Sequence, residues 1–237
     1  MARDSKSVEI FCSLPRRMLR RYVSQEMVWD DLGEKLLSYG LAGFNCTVFA
    51  YGQTGAGKSY SVVGYKPNDG LIPNLVARIF DCADACDKKA TAVGSVKFEV
   101  EVAMLEVYMD KVYDLLQKTD PGKPRQELKV FRTASGEVMI YDPADKTQRD
   151  KIWHACTDRQ MAEMKRALGE ANRTIRSTSM NPSSSRGHTV FMVRITKLVR
   201  HRKTWDTESR KIACGRPMLH LDAWWCAASE VDARAAR

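Results

Sequence analysis

The run Gly52-Gln53-Thr54-Gly55-Ala56-Gly57-Lys58-Ser59 satisfies G-x-x-x-x-G-K-[ST] at every fixed position. No other stretch constrains the fold as much, because such a loop belongs between a buried strand and the first turn of a helix. The residues before it, 44–51, are mostly apolar, with Val48, Phe49 and Tyr51 close together, and read as a buried strand. Gly52, Gly55 and Gly57 let the backbone curl until its N–H groups point inward at phosphate oxygens. A helix beginning near Lys58 adds the positive end of its dipole. In that arrangement Lys58 reaches the β- and γ-phosphates, and the Ser59 hydroxyl takes one position on Mg²⁺. The loop implies a nucleoside triphosphate site.

The chain around the loop alternates helical and strand patterns. Ser24 is a candidate N-cap for a helix over 24–40, with Met27, Val28, Leu32, Leu36 and Leu37 on one face. Gly40 and Gly43 close it. The helix after Ser59 is short, interrupted by GYKPNDG at 64–70, and a second resumes over 72–85 with Pro73 in its first turn. Residues 95–108 alternate apolar and polar, as a long half-buried strand does. A helical turn is expected at 112–116, and short strands at 128–130 and 137–141. The spacing predicts a helix over 160–172 with Met161, Met164, Ala167 and Leu168 on its apolar side, then a strand over 189–199. Strands interleaved with helices around a strand–loop–helix phosphate site imply an α/β fold of the P-loop NTPase type. Its expected form is a three-layer sandwich with a central, mainly parallel (mixed) sheet flanked by helices.

The glycine loop also carries a family resemblance. FAYGQTGAGKSY resembles the phosphate loop of kinesin motor domains, and Asn181-Pro-Ser-Ser-Ser-Arg-Gly-His188 resembles their first switch, N-x-x-S-S-R-S-H. SQEMVWDD (24–31), GLIPNLVARIF (70–80) and VAMLEVYMDKVYDLL (102–116) look like kinesin too, so the resemblance covers about residues 24–200. It implies that Gly52 to Ser59 hold the phosphates of ATP and that Tyr60 stacks on adenine. Ser184 and Ser185 would touch the γ-phosphate and Mg²⁺, with Ser185 the metal contact beside Ser59. Arg186 would bond a glutamate of the second switch and close the site around the attacking water. Gly187 stands where the family has serine, and Asn181 and His188 match.

The second switch departs from the pattern. Kinesins carry D-L-A-G-S-E after the next strand, and this chain reads Leu219-His-Leu-Asp-Ala-Trp-Trp-Cys-Ala-Ala-Ser-Glu230. One register recovers Glu230 as the partner of Arg186 but sets Trp225 at the aspartate and Ala228 at the glycine. The other keeps Asp222 and loses the rest. At the start, Val8 to Pro15 lacks the arginines of the family's R-x-R-P element. The expected division is a divergent segment at 1–23, a partial motor domain at 24–222 and a divergent tail at 223–237, without the main microtubule-binding face.

Bulk properties bound the function classes. At 237 residues the chain supports one domain with a sizeable core. The longest apolar runs fall short of a membrane span, and no secretory signal is expected. Seven scattered cysteines predict reduced thiols, with Cys82 and Cys86 as packing residues rather than metal ligands. A formal charge of +9 favours an acidic partner without choosing one. The basic run Arg194, Lys197, Arg200, His201, Arg202 and Lys203 reads as a solvated hairpin tip.

Three functions stay open. The resemblance implies an ATP hydrolase coupled to movement along microtubules, with ATP and Mg²⁺ as cofactors and tubulin as partner, cytoplasmic and associated with the cytoskeleton. The altered second switch implies impairment, and leaves room for a nucleotide-binding module without motor activity. A P-loop ATPase acting on nucleic acid rests only on the charge, and the kinesin-type first switch argues against it. No nucleic-acid or membrane partner is expected.

Overall fold

The computed structural model describes residues 7–9, 23–51, 57–87, 95–117, 125–132, 134, 138–143, 152–179, 187–201, 204–207, 218–219 and 224–225. Strand β1 (Ser7–Glu9) precedes a helical run that begins where Ser24 predicts it. The Ser24 hydroxyl accepts from the Met27 N–H at 3.3 Å. The run has three parts: α1 (Gln25–Val28), a π-helical turn (Trp29–Gly33) and α2 (Glu34–Leu41). The Trp29 indole fills the space beside Gly33, where a Cβ would come within 2.3 Å of the ring. Leu32 and Leu36 face the core as their spacing requires, while Met27 is exposed.

Gly43, at φ 89°, turns the chain into β2 (Asn45–Thr47) and β3 (Phe49–Ala50), the strand expected before the glycine loop. It is buried on one face only. Cys46 and Val48 are in the core, whereas Phe49 and Tyr51 are 55% and 73% exposed. After the loop come α3 (Lys58–Val62), the hairpin of β4 (Gly64–Tyr65) and β5 (Asn68–Asp69), and α4 (Leu71–Asp87). This is the interrupted helix expected from GYKPNDG. Leu71, Leu75, Ile79 and Phe80 give α4 its buried face at helical spacing.

The strand expected at 95–108 is β6 (Val96–Tyr108), and its centre is buried on both faces. The helical turn expected at 112–116 is not there. Met109 and Asp110 both take positive φ, 49° and 60°, the geometry of a two-residue hairpin turn, and return the chain as β7 (Lys111–Asp114). Then follow β8 (Glu127–Arg132), β9 (Val138–Tyr141), β10 (His154–Cys156), α5 (Arg159–Ser179) and β11 (Gly187–His201). Three short strands complete the described elements: β12 (Thr204–Thr207), β13 (Met218–Leu219) and β14 (Trp224–Trp225).

The large sheet runs β12-β11-β6-β7-β8-β9, with β10 also on β6 and β13 on β11. Every pairing in it is antiparallel. Parallel pairing occurs only in β1–β2 and β3–β14 among the described residues. The mainly parallel sheet expected from the sequence is therefore corrected to a mostly antiparallel one. Short connections explain much of it, because at most five residues separate β6 from β7, β8 from β9 and β11 from β12, too few for a parallel crossover.

Both faces of the sheet are covered. On one, Val100, Val102, Met104, Phe191, Val193 and Ile195 pack under α2, α4 and α5. On the other, Ala103, Leu105, Leu128, Ile152, Val190 and Met192 form a smaller cluster. Arg194 lies 5% exposed beside that second cluster, bonded to Glu101 at 3.3 Å with its guanidinium 4.0 Å from the Trp153 ring. It is thus a buried structural arginine, not part of a solvated tip.

Helix α5 is turned the opposite way from its sequence pattern. Ala162 and Gly169 are buried, and a Cβ at Gly169 would lie 2.2 Å from Met104 Sδ. Met161, Met164, Ala167 and Leu168 face solvent. The inward face is held by charge instead: Arg166 bonds Glu163 at 2.9 Å and Glu170 at 2.6 Å. Among the described residues no helix is long and apolar enough to cross a membrane.

Candidate functional site

Of the residues expected to hold the triphosphate, Gly57, Lys58, Ser59 and Tyr60 are described. Gly52, Gln53, Thr54, Gly55 and Ala56 lie outside the described residues, as do Ser184, Ser185, Arg186 and Glu230. Gly57 is the N-cap of α3 with φ 82°, and among the described residues no atom lies within 4 Å of the place a Cβ would take. The left-handed backbone explains the glycine. Lys58 begins the helix and is buried, while Ser59 follows half-buried in the first turn. The Ser61 N–H donates to the Gly57 carbonyl at 2.9 Å and closes that turn.

Tyr60 packs against Tyr65 of the β4–β5 hairpin, ring centroids 6.4 Å apart and tilted by 32°. Its carbonyl accepts from the side chain of Gln25, which ties the start of α1 to the loop helix.

Two strands flank segment 224–225, within the stretch where the second switch is expected. Trp224 and Trp225 of β14 pair in parallel with Phe49 and Ala50, and β14 also packs against β11. Segment 224–225 therefore lies between the strand that leads into the glycine loop and the strand that follows the first switch. His188, the described end of that switch, is half-buried and pairs with Val107.

A cavity lies between the end of the loop helix, α4, β6, α5 and β11. It is lined by Val62 and Val63 after the loop helix, Ile72, Met104, Thr189 and Phe191, and by Arg166, Glu170 and Arg173 of α5. Thr189 Oγ1 is buried there and has no hydrogen-bond partner among the described residues. Burial lowers the Arg173 pKa, against the opposing charges of Glu106 and Glu170. At Arg166 burial also acts to lower the pKa, but the bonds from Glu163 and Glu170 outweigh it and the net shift is upward. These inward charges were not anticipated from the sequence. The available sign was Arg166, Glu170 and Arg173 recurring at helical spacing around Gly169.

Among the described residues no cluster of three or more His, Cys, Asp or Glu is arranged to hold a metal. Cys82 and Cys86 are half-buried free thiols on α4, and burial raises the thiols of Cys46 and Cys156 to about 11.

The helix-capping Gly57, the buried Lys58 and the first-turn Ser59 stand in the order that a phosphate loop requires. Comparison with known proteins then narrows the class. The kinesin motor domain profile matches residues 16–214. Human kinesin-like protein KIF13B is 36% identical over 186 residues, covering 78% of this chain and 9% of that protein. Mouse KIF16B is 34% identical over 176 residues, 74% of this chain and 12% of the relative.

Solved structures agree. The structure of a fast kinesin superposes with TM-score 0.68 at 27% identity, covering 90% of this chain and 53% of the other. A KIF14 dimer with AMP-PNP, in complex with a microtubule, gives TM-score 0.58 at 31% identity over 75% and 45%. The chain belongs to the kinesin motor domain family, and its fold is that of the P-loop NTPases. It spans about a tenth of the length of those curated relatives, and about half of the solved motor chains.

Proposed function

We propose that this chain is a kinesin-type ATP-binding domain that hydrolyses ATP weakly and couples poorly to microtubules. The observation that carries nucleotide binding is the Gly57–Lys58–Ser59 corner. Its left-handed glycine caps a helix that begins with a buried lysine. Those features fit a phosphate group, whose charge Lys58 and the first-turn N–H groups of α3 would meet. The loop backbone of Gly52, Gln53, Thr54, Gly55 and Ala56 would complete the cradle, and Tyr60 would border the adenine.

Mg²⁺, when bound, would neutralise charge on the phosphates, and a serine hydroxyl is the hard oxygen donor it accepts. Ser59 and Ser185 would supply such donors. Ser184 would orient the terminal phosphate, and Arg186 would hold the first switch closed through Glu230. Family membership supports tubulin as the partner and a cytoplasmic, microtubule-associated location. The microtubule in the KIF14 complex points the same way.

Impairment rests on the second switch. The pairing of Trp225 with Ala50, beside the strand entering the glycine loop, supports the register in which tryptophan stands for the family aspartate. An indole offers neither a carboxylate to the metal nor a carboxyl to orient water. The same pairing favours a second reading, a nucleotide-binding module without motor activity. Titration of a fluorescent ATP analogue with Mg²⁺ tests the shared core. Lys58→Ala is expected to weaken binding by about tenfold or more. Equal binding by both proteins, each folded by circular dichroism, would remove the glycine loop from the account.

A further inference from the structure

Tyr65 is an aromatic residue that is both exposed and held in place. It is 64% exposed, yet the hairpin that carries it is fixed from several sides. The Gly70 N–H donates to the Val63 carbonyl at 3.0 Å and closes β4 on β5. The Asn74 side chain donates to the Asp69 and Gly70 carbonyls at 2.9 and 3.0 Å, which fastens the hairpin to the first turn of α4. Lys66 bonds Asp69 across the turn at 2.7 Å. A lone exposed tyrosine on a loose loop would need no explanation. Here the hairpin sets the ring 6.4 Å from that of Tyr60, centroid to centroid, at a tilt of 32°. Tyr60 is held as well, since its carbonyl accepts from the buried Gln25 side chain.

We propose that Tyr65 is a specificity-determining residue of the nucleotide site: with Tyr60 it forms a paired aromatic platform that receives a purine base and disfavours pyrimidines. This rests on the nucleotide-binding reading above and deepens it, because in that reading Tyr60 borders the base and Tyr65 is the ring beside it. Stacking needs an uncovered aromatic face, and Tyr65 leaves most of its surface open. The hairpin is already fixed, so little conformational entropy is lost when a base settles on the ring. A purine has two fused rings and overlaps a pair of side-chain rings more fully than a pyrimidine does.

The competing role for Tyr65 runs through its hydroxyl. Arg173 of α5 lies within electrostatic reach of the phenol oxygen. Such a contact would tie the hairpin to α5 and leave base preference untouched. The ring and the hydroxyl therefore make opposite predictions for Tyr65→Phe.

The test is isothermal titration calorimetry on the full chain with MgATP, MgUTP and magnesium tripolyphosphate, the last having no base. The wild type is expected to bind MgATP more tightly than MgUTP. Tyr65→Ala should weaken MgATP by about tenfold, narrow its advantage over MgUTP and leave tripolyphosphate unchanged. Tyr65→Phe keeps the ring and should stay within about twofold of the wild type. Tyr65 is exposed, so the variants should fold, which circular dichroism checks. Tyr65→Leu, of similar bulk but without an aromatic face, repeats the test should alanine disturb the hairpin. Lys58→Ala, by contrast, should weaken all three ligands together. The proposal alone would be overturned, with Lys58-dependent binding intact, by any of four results: no wild-type preference for MgATP over MgUTP, an unchanged preference in Tyr65→Ala, equal losses for all three ligands, or Tyr65→Phe as weak as Tyr65→Ala. A folded wild type that binds neither MgATP nor tripolyphosphate would overturn the nucleotide-binding reading and this inference with it.

Discussion

Gly57 and Gly64 both have positive φ, 82° and 75°, yet they answer to different constraints. At Gly57 no described atom stands within 4 Å of a would-be Cβ, and the left-handed backbone is what resists a side chain there. At Gly64 a Cβ would lie 2.2 Å from the Gly70 N and 2.3 Å from the Asn68 carbonyl oxygen, both backbone atoms that cannot swing aside. Gly57→Ala is therefore expected to cost about 1 kcal/mol, the ordinary left-handed penalty. Gly64→Ala should cost clearly more, about 2–3 kcal/mol, because the β4–β5 turn must open. Urea unfolding midpoints of the two variants check the order. Equal losses would mean that the contact around Gly64 relaxes freely. The sequence marks both glycines but does not separate them, since the crowding at Gly64 comes from residues that return to it only after the turn.

At the scale of elements, local pattern predicted well where one face of a helix met the core. Ser24 opens its helix, GYKPNDG interrupts the next, and β6 and β11 lie where alternation sets them. Two readings failed for tertiary reasons. At 112–116 the expected helical turn gives way to a strand over 111–114, because Val112 and Tyr113 favour strands and the Met109–Asp110 turn returns them to pair with β6. On α5 the apolar stripe was legible but its direction was not. Glycine packing against Met104 and the Arg166 ion pairs decide which side goes in, and neither is visible in periodicity. Asn172 fixes that orientation from the other end. Its side-chain amide donates to the Leu115 carbonyl at 2.6 Å, tying α5 to the exit of β7. Asn172→Ala leaves that acceptor unbonded next to the fully buried Leu115 and should cost about 1–3 kcal/mol in denaturant unfolding. No loss of stability would show that water satisfies the carbonyl and that the tie is incidental.

Across the whole molecule, the glycine loop and first-switch motif were enough to give the family, because fixed spacing survives where periodicity misleads. The sheet direction was not legible. Strand patterns do not encode pairing partners, and among the described residues the parallel pairs involve only the short strands before the loop and their partners. On the proposed reading the altered second switch limits activity, and that reading rests on the pairing of Trp225 with Ala50, in the strand before the glycine loop. Phosphate release from MgATP, with and without microtubules, measured on the wild type and on Lys58→Ala, tests this most directly. Slow release that microtubules raise only slightly and Lys58→Ala abolishes is the expected result. Release that is indifferent to Lys58, or strong microtubule stimulation despite the tryptophan, would contradict it.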